Sequence, residues 1–257
     1  MAYEKMVVIF ADLLGSKSIT DFNKKYIIHK IFHEELILNQ ERQKLISHVI
    51  YDRKIFSFSD CVYIFYFYKK GIEESRKNDL NLIKTAILNT TNPFLQVLLS
   101  GNFLRGGITF GDCYFDDLGF FGPAVNRAYE IESTIAEHPI IEVDNVIGKE
   151  IFDDQIQNSN NELFKWKPSI VNNLENKYFM NYLYQLEISP LLQYGQNIYR
   201  YDESKKDILD YIHLNKQENS SNIKIINKMN YLERVINLSR PSEMNNGIGN
   251  MVGVLQK

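Results

Sequence analysis

The 257-residue chain is expected to fold as an α/β sandwich, and two patterns predict it. Short apolar runs rich in β-formers alternate with longer stretches of helical period, and a glycine-studded strand lies near the middle of the chain. A composition that is 44% hydrophobic and 13% aromatic is ample for a packed core. The length admits one large domain, or one domain with a terminal extension.

Residues 6–10, Met-Val-Val-Ile-Phe, read as a buried central strand. Residues 16–47 carry helical signals, with Ser16 as cap and Phe22, Tyr26, Ile27 and Ile31 near one face. Across 49–68 two aromatic runs flank Ser59-Asp60 and predict a hairpin. Leu80, Ile83 and Ile87 restore a helical period, and Asn92-Pro93 predicts that this helix is kinked or split. Residues 103–117 are the glycine-studded strand, entering a second hairpin; 124–136 read as helix and 139–143 as strand. Past residue 150 the pattern weakens. The Asn-rich stretches 155–162 and 216–222 fit loops, while 204–215 and 223–239 look helical, the latter with an Ile225, Ile226, Met229, Leu232, Ile236 stripe. The expected organisation is a core over 1–150 and a helical C-terminal extension over 151–257, packed on the core.

Composition also excludes. A net charge of −3 argues against a general attraction to nucleic acid or anionic lipid. Cys61 and Cys113, each in a strand-like apolar context, read as reduced, packed thiols. No apolar run approaches the ~18 residues that span a bilayer, and the amino terminus lacks a secretion pattern. The expectation is a soluble cytoplasmic protein.

The chemistry rests first on Asp12, at the end of the first strand, and Asp60, at the first hairpin tip. Two carboxylates meeting beside a Gly-containing turn form a minimal chelate for a divalent ion carrying a triphosphate. Taken singly, Asp12 reads equally as a helix cap and Asp60 as an ordinary turn residue. His29 and His33, spaced i, i+4, would share a helical face as zinc ligands do, but no third ligand accompanies them. Lys24-Lys25 and Lys69-Lys70 read as solvated faces.

Two further stretches, Leu104-Arg105-Gly106-Gly107-Ile108 with Gly111, and Phe121-Gly122-Pro123-Ala124-Val125-Asn126-Arg127-Ala128, complete an ordered pattern. Strand Asp, hairpin Asp, Leu-Arg-x-Gly-Ile-x-x-Gly and Phe-Gly-x-x-Val-Asn-x-Ala together resemble the class III nucleotidyl cyclases over residues 5–145. Within that family the segment Gly-Pro-Ala-Val-Asn-Arg-Ala-Tyr-Glu is similar to the pyrimidine cyclases of the bacterial Pycsar anti-phage system.

The resemblance implies a ferredoxin-like palm with a mostly antiparallel sheet. It implies two divalent ions, Mn²⁺ or Mg²⁺, held by Asp12, Asp60 and the Leu13 carbonyl, and a triphosphate lying against Leu14 and Gly15. It implies attack of the ribose 3′-hydroxyl on the α-phosphorus, with pyrophosphate leaving. It further implies a homodimer in which Asn126 of one chain orients the ribose bound to the other. The product would be a cyclic nucleotide messenger, cUMP or cCMP, acting on a separate effector. Departures sharpen this reading. Phe56 and Gly119 stand where ATP-using relatives place a Lys and an Asp that read adenine. That favours UTP or CTP, UTP first, over a purine. Glu130 stands where the family has its transition-state Arg, which leaves Arg127 and Arg105 as candidates, with Arg127 about 100° round the helix from Asn126. Two other classes stay in view: a cyclase-like module that binds nucleotide without turnover, and a palm nucleotidyltransferase using the same two carboxylates.

Overall fold

The computed structural model describes residues 2–16, 19–35, 48–158, 169–189, 191–194 and 197–241. Strand β1 (Glu4–Leu13) is the axis of the molecule. It pairs antiparallel with β3 (Cys61–Tyr68) on one side and β4 (Leu104–Phe115) on the other. β2 (Tyr51–Phe58) closes the hairpin with β3, and the short β5 (Phe120–Phe121) folds back on β4. Beyond β4 the sheet continues through β6 (Ile141–Val143), β8 (Lys177–Met180) and β7 (Val171–Leu174), giving the order β2-β3-β1-β4-β6-β8-β7. Among the described residues β4–β6 is the one parallel pair in a sheet otherwise antiparallel.

The period of two along β1 divides its side chains. Val7, Ile9, Ala11 and Leu13 enter the main core, while Met6, Val8 and Phe10 enter a smaller cluster on the opposite face. The main core is covered by α1 (Phe22–His29, running on as a π-turn, Lys30–Glu35) and α2 (Asp79–Leu99). It is also covered by the C-terminal helices α6 (Tyr201–Glu218) and α7 (Ile223–Leu238). Over the smaller cluster lies α3 (Pro123–Glu130), which continues as a π-turn (Ile131–Ile135) and buries Ala124, Val125 and Ala128. Gly107 makes that approach achievable. A Cβ there would sit 2.5 Å from the Ala128 carbonyl oxygen and 2.7 Å from Ile131 Cβ.

Several sequence expectations are corrected. The cap of α1 is Asp21, which accepts from Lys24 N–H at 2.8 Å, and not Ser16. The buried residues of that segment are Ile28, Ile31 and Phe32, whereas Phe22, Tyr26 and Ile27 face solvent, and the helix begins five residues later than the Ser16 cap implies. Residues 36–47 of the expected helix lie outside the described residues. Helix α2 passes through Pro93 unbroken. In the turn before Pro93, the carbonyls of Ile87 and Leu88 accept from the Thr90 and Thr91 hydroxyls at 2.9 and 2.7 Å, and burial of Phe94, Leu95 and Leu98 holds the helix together.

The expected boundary at residue 150 falls within α4 (Asn145–Asn158). Residues 151–257 contribute strands as well as helices: β7 and β8, the hairpin β9 (Leu191–Tyr194) and β10 (Asn197–Arg200), and the short α5 (Tyr184–Ile188). The β7–β8 turn was hidden because Glu175 and Asn176 take φ of 55° and 62° without a glycine to signal it.

Candidate active site

Strand register lays out the open face row by row, opposed residues sharing a face. One row runs Phe58, Cys61, Asp12, Arg105. The next, ~6.6 Å along the strands, runs Phe56, Tyr63, Phe10, Gly107. An acidic row and an aromatic row are therefore neighbours on one surface.

The hairpin tip that carries Asp60 meets the end of β1, and the Asp60 charge reaches Asp12. The Leu13 N–H donates to the Asp60 carbonyl at 3.0 Å, fastening the hairpin tip to the end of β1. The Asp12 carboxyl is pushed up to about 6, by burial first and then by the charges of Asp60 and Glu132, with Arg105 opposing. Asp60 is held below the ordinary carboxylate range, chiefly because the Ser16 hydroxyl donates to it. One acid is thus firmly ionised, while its neighbour gives up its proton reluctantly. A cation shared between them would reverse that reluctance.

Among the described residues no group of three or more His, Cys, Asp and Glu side chains is placed to hold a metal. The donor set is two carboxylates, with carbonyl, water or phosphate oxygens to complete it, and this fits magnesium or manganese better than zinc. His29 lies against Tyr26, ring centroids 6.2 Å apart, and the His33 side chain lies outside the described residues.

The aromatic row is a packed floor. Phe10 stacks on Tyr63 at 4.4 Å, and Phe120 packs on Phe56 at 4.9 Å and on Tyr63 at 4.6 Å. Phe120 follows Gly119, so the chain next to position 119 packs against Phe56. Gly119 has φ +154° with nothing near a would-be Cβ. At the rim, Lys54 Nζ lies 5.5 Å from the Phe56 ring centroid and 3.6 Å from Asp117 Oδ1. Leu14 and Gly15 line a recess of about 560 Å³ that also takes in Asp21, Lys24, Asn102 and Tyr211. Neither Asp12 nor Asp60 lines it.

Both arginine candidates are occupied. Arg105 Nε donates to Glu132 Oε1 at 2.6 Å, and Glu132 is buried beneath the π-turn. Arg127 donates to Asp144 at 2.9 Å and to Glu130 at 2.8 Å. Asn126 is exposed on α3 in one stripe with Tyr129 and Glu130, and among the described residues its side chain meets no hydrogen-bond partner. Glu132, Lys54 and Asp117 escaped the sequence reading, the first because its Arg partner lies 27 residues earlier in the chain. Lys25, read as solvated, has a field that reaches Asp60 and favours its ionised form.

Cys61 and Cys113 are free and buried, as expected, and burial pushes both thiols up to about 12. No described helix is long and apolar enough to cross a membrane.

No family model matches the chain, and no curated protein matches it. Among solved structures it is similar to the catalytic core of a rhodopsin-guanylyl cyclase with converted specificity, in complex with ATPαS. The identity is 13% and the TM-score 0.41, over 70% of this chain and 97% of that one. It is also similar to the monomeric guanylyl cyclase domain of the RhoGC fusion protein from the aquatic fungus Blastocladiella emersonii. There the identity is 15% and the TM-score 0.43, over 70% and 96% of the two chains. At these scores neither likeness bears on the chemistry.

Proposed function

We propose that this chain is a metal-dependent nucleotidyl cyclase that closes the 3′,5′-ring of a pyrimidine nucleoside triphosphate, UTP ahead of CTP, and releases pyrophosphate. The observation that carries the reading is the junction of Asp12 and Asp60: the Leu13 N–H fastens the hairpin tip to the end of β1, and burial with the nearby Asp60 charge raises the Asp12 carboxyl.

Mn²⁺ or Mg²⁺ bound there would acidify the ribose 3′-hydroxyl and neutralise the triphosphate. The remaining work belongs to the chain. Ser16 keeps Asp60 oriented and ionised. The Leu13 and Leu14 amides hold the strand end in place, through the Asp60 and Phe103 carbonyls, and Lys25 adds positive charge that favours ionised Asp60. The Phe56–Tyr63–Phe120 floor receives the base, with Lys54 and Asp117 as the polar groups at its rim. Asn126, exposed and without a side-chain partner among the described residues, serves the ribose in a second copy's site. Arg105 and Arg127 act as anchors of α3, each through a carboxylate.

A second copy is supported by what the open face leaves uncovered. Phe58, in the row of Asp12, and Tyr129, packed on Phe10 at 5.9 Å, are both exposed beside it, an apolar margin of the kind that marks an interface. The likeness of the 122–130 segment to Pycsar cyclases supports a cytoplasmic anti-phage messenger, with a separate effector reading the product.

Purified protein with Mn²⁺ and each of the four nucleoside triphosphates provides the test. Cyclic product and pyrophosphate should appear fastest from UTP, then CTP. Conversion of ATP or GTP alone would overturn the base assignment. The engagement of both arginines by carboxylates favours one second reading, a nucleotide-binding module without turnover. Tight UTP binding with no pyrophosphate release would decide for it.

A further inference from the structure

The segment that leaves α3 is gripped by C-terminal residues at three points. Lys177, at the start of β8, donates from Nζ to the Ile135 carbonyl at 2.9 Å. That carbonyl belongs to the last turn of the helix, where carbonyls lack intrahelical partners and a cation is favoured. The same Nζ lies 3.5 Å from Glu142, a carboxylate only 2% exposed on β6 and pushed upward by that burial. Tyr231 of α7 stacks on His138 at 3.8 Å with ring planes 7° apart. The Ile141 N–H donates to the Tyr182 hydroxyl at 2.9 Å, and Tyr182 is fully buried. On the other side of the helix, Glu132 and Arg127 are tied to Arg105 and Asp144. The helix that displays Asn126 is therefore fixed from the sheet at its middle and from the C-terminal residues at its exit.

We propose that Lys177 is a positioning residue for the Asn126-bearing helix, so that residues beyond 150 form part of the reacting geometry. The inference rests on the cyclase reading for what the helix does; the clamp itself does not depend on that reading. Lys177 touches no reacting atom. It sets the end of a helix whose middle rests on Gly107 with no slack, so a shift at Ile135 is passed along the helix to Asn126.

The test combines steady-state kinetics with Mn²⁺ and UTP and hydrogen exchange over residues 123–135. Lys177→Met should lower kcat about tenfold, with KM for UTP within about twofold, as expected when a transition-state alignment is lost. Amide exchange over 123–135 should quicken about tenfold while β1–β3 stay protected, and Lys177→Arg should restore most of both. If Lys177→Met fails to fold because Glu142 is left as a buried, unpaired charge, the Lys177→Met, Glu142→Gln double variant should give the same pattern. Unchanged exchange in the folded variant would overturn the clamp. Faster exchange with kcat unchanged would overturn the positioning role. Should the wild type make no cyclic product from any triphosphate, the cyclase reading has failed, and exchange alone then judges the clamp.

Discussion

On one face of the sheet Val7, Ile9, Ala11 and Leu13 vanish beneath α1, α2 and the C-terminal helices. On the other, Met6, Val8 and Phe10 are buried in a smaller cluster with Tyr63, Phe65, Cys113 and α3, and the same alternation brings Asp12 up beside them. The same strands supply both faces, so local propensity does not separate them; what lies on top does. The covered face is continuous, its aliphatic β1 residues running into buried rings such as Tyr66, Phe94 and Tyr182. The opposite face carries rings, an acid pair and a paired arginine, with Phe58 and Tyr129 exposed at its margin. Polar residues held at one end of a packed cluster cost stability, as the proposed active site would require.

The comparison can be broken most severely at the acid pair. Asp60→Asn should reduce cyclic product by at least the 10–100-fold that loss of even an outer metal contact costs. Its melting temperature should stay near that of the wild type, since Asp60 sits at a partly exposed turn. A structural role alone would move both together.

Gly107→Ala attacks the seam between the faces. The added methyl meets the Ala128 carbonyl at 2.5 Å, and overpacking of this kind costs ~1–3 kcal/mol. Denaturant unfolding should show that loss, while Gly119→Ala meets no atom and suffers only its backbone strain. Phe58→Glu probes the exposed margin of the site face. Sedimentation should show self-association weakened at least tenfold, about 1.4 kcal/mol, with the isolated fold intact.

The smallest effect concerns pH. Asp12 holds its proton more tightly folded, with a pKa of about 6 against 3.8. Between those values the folded chain binds more protons, so this group lowers stability as pH rises from about 4 to 6. Without divalent ions, Asp12→Asn should raise the melting temperature by about 2 °C at pH 7.5. The gain should disappear below about pH 4, where both forms are neutral.

How legible all this was depended on what each residue needed. Val7 to Phe10 announce a buried strand by composition, and the aromatic runs around Asp60 announce a hairpin, so the acid pair could be read from local pattern alone. The Arg105–Glu132 bond could not, because its partners sit on β4 and a π-turn and nothing local requires either. Arg127 looked free for catalysis until Asp144 was seen to hold it. Ser16 was read as a helix cap because Ser favours that place; its hydroxyl is instead spent on Asp60, a residue 44 positions away. The contacts of Lys177 and Tyr231 lay beyond reach, since Lys177 falls where periodicity fades and nothing local pairs Tyr231 with the distant His138. Short-range signals found the acids, and tertiary pairing decided which cations were left to serve them.

The most direct measurement is a Mn²⁺ titration followed by electron paramagnetic resonance, with and without UTP, on the wild type, Asp12→Asn and Asp60→Asn. The account predicts that the wild type takes up Mn²⁺, more tightly with UTP, and that each variant loses at least tenfold in affinity. Equal Mn²⁺ uptake by all three proteins would contradict it, because the two carboxylates would then hold no cation between them.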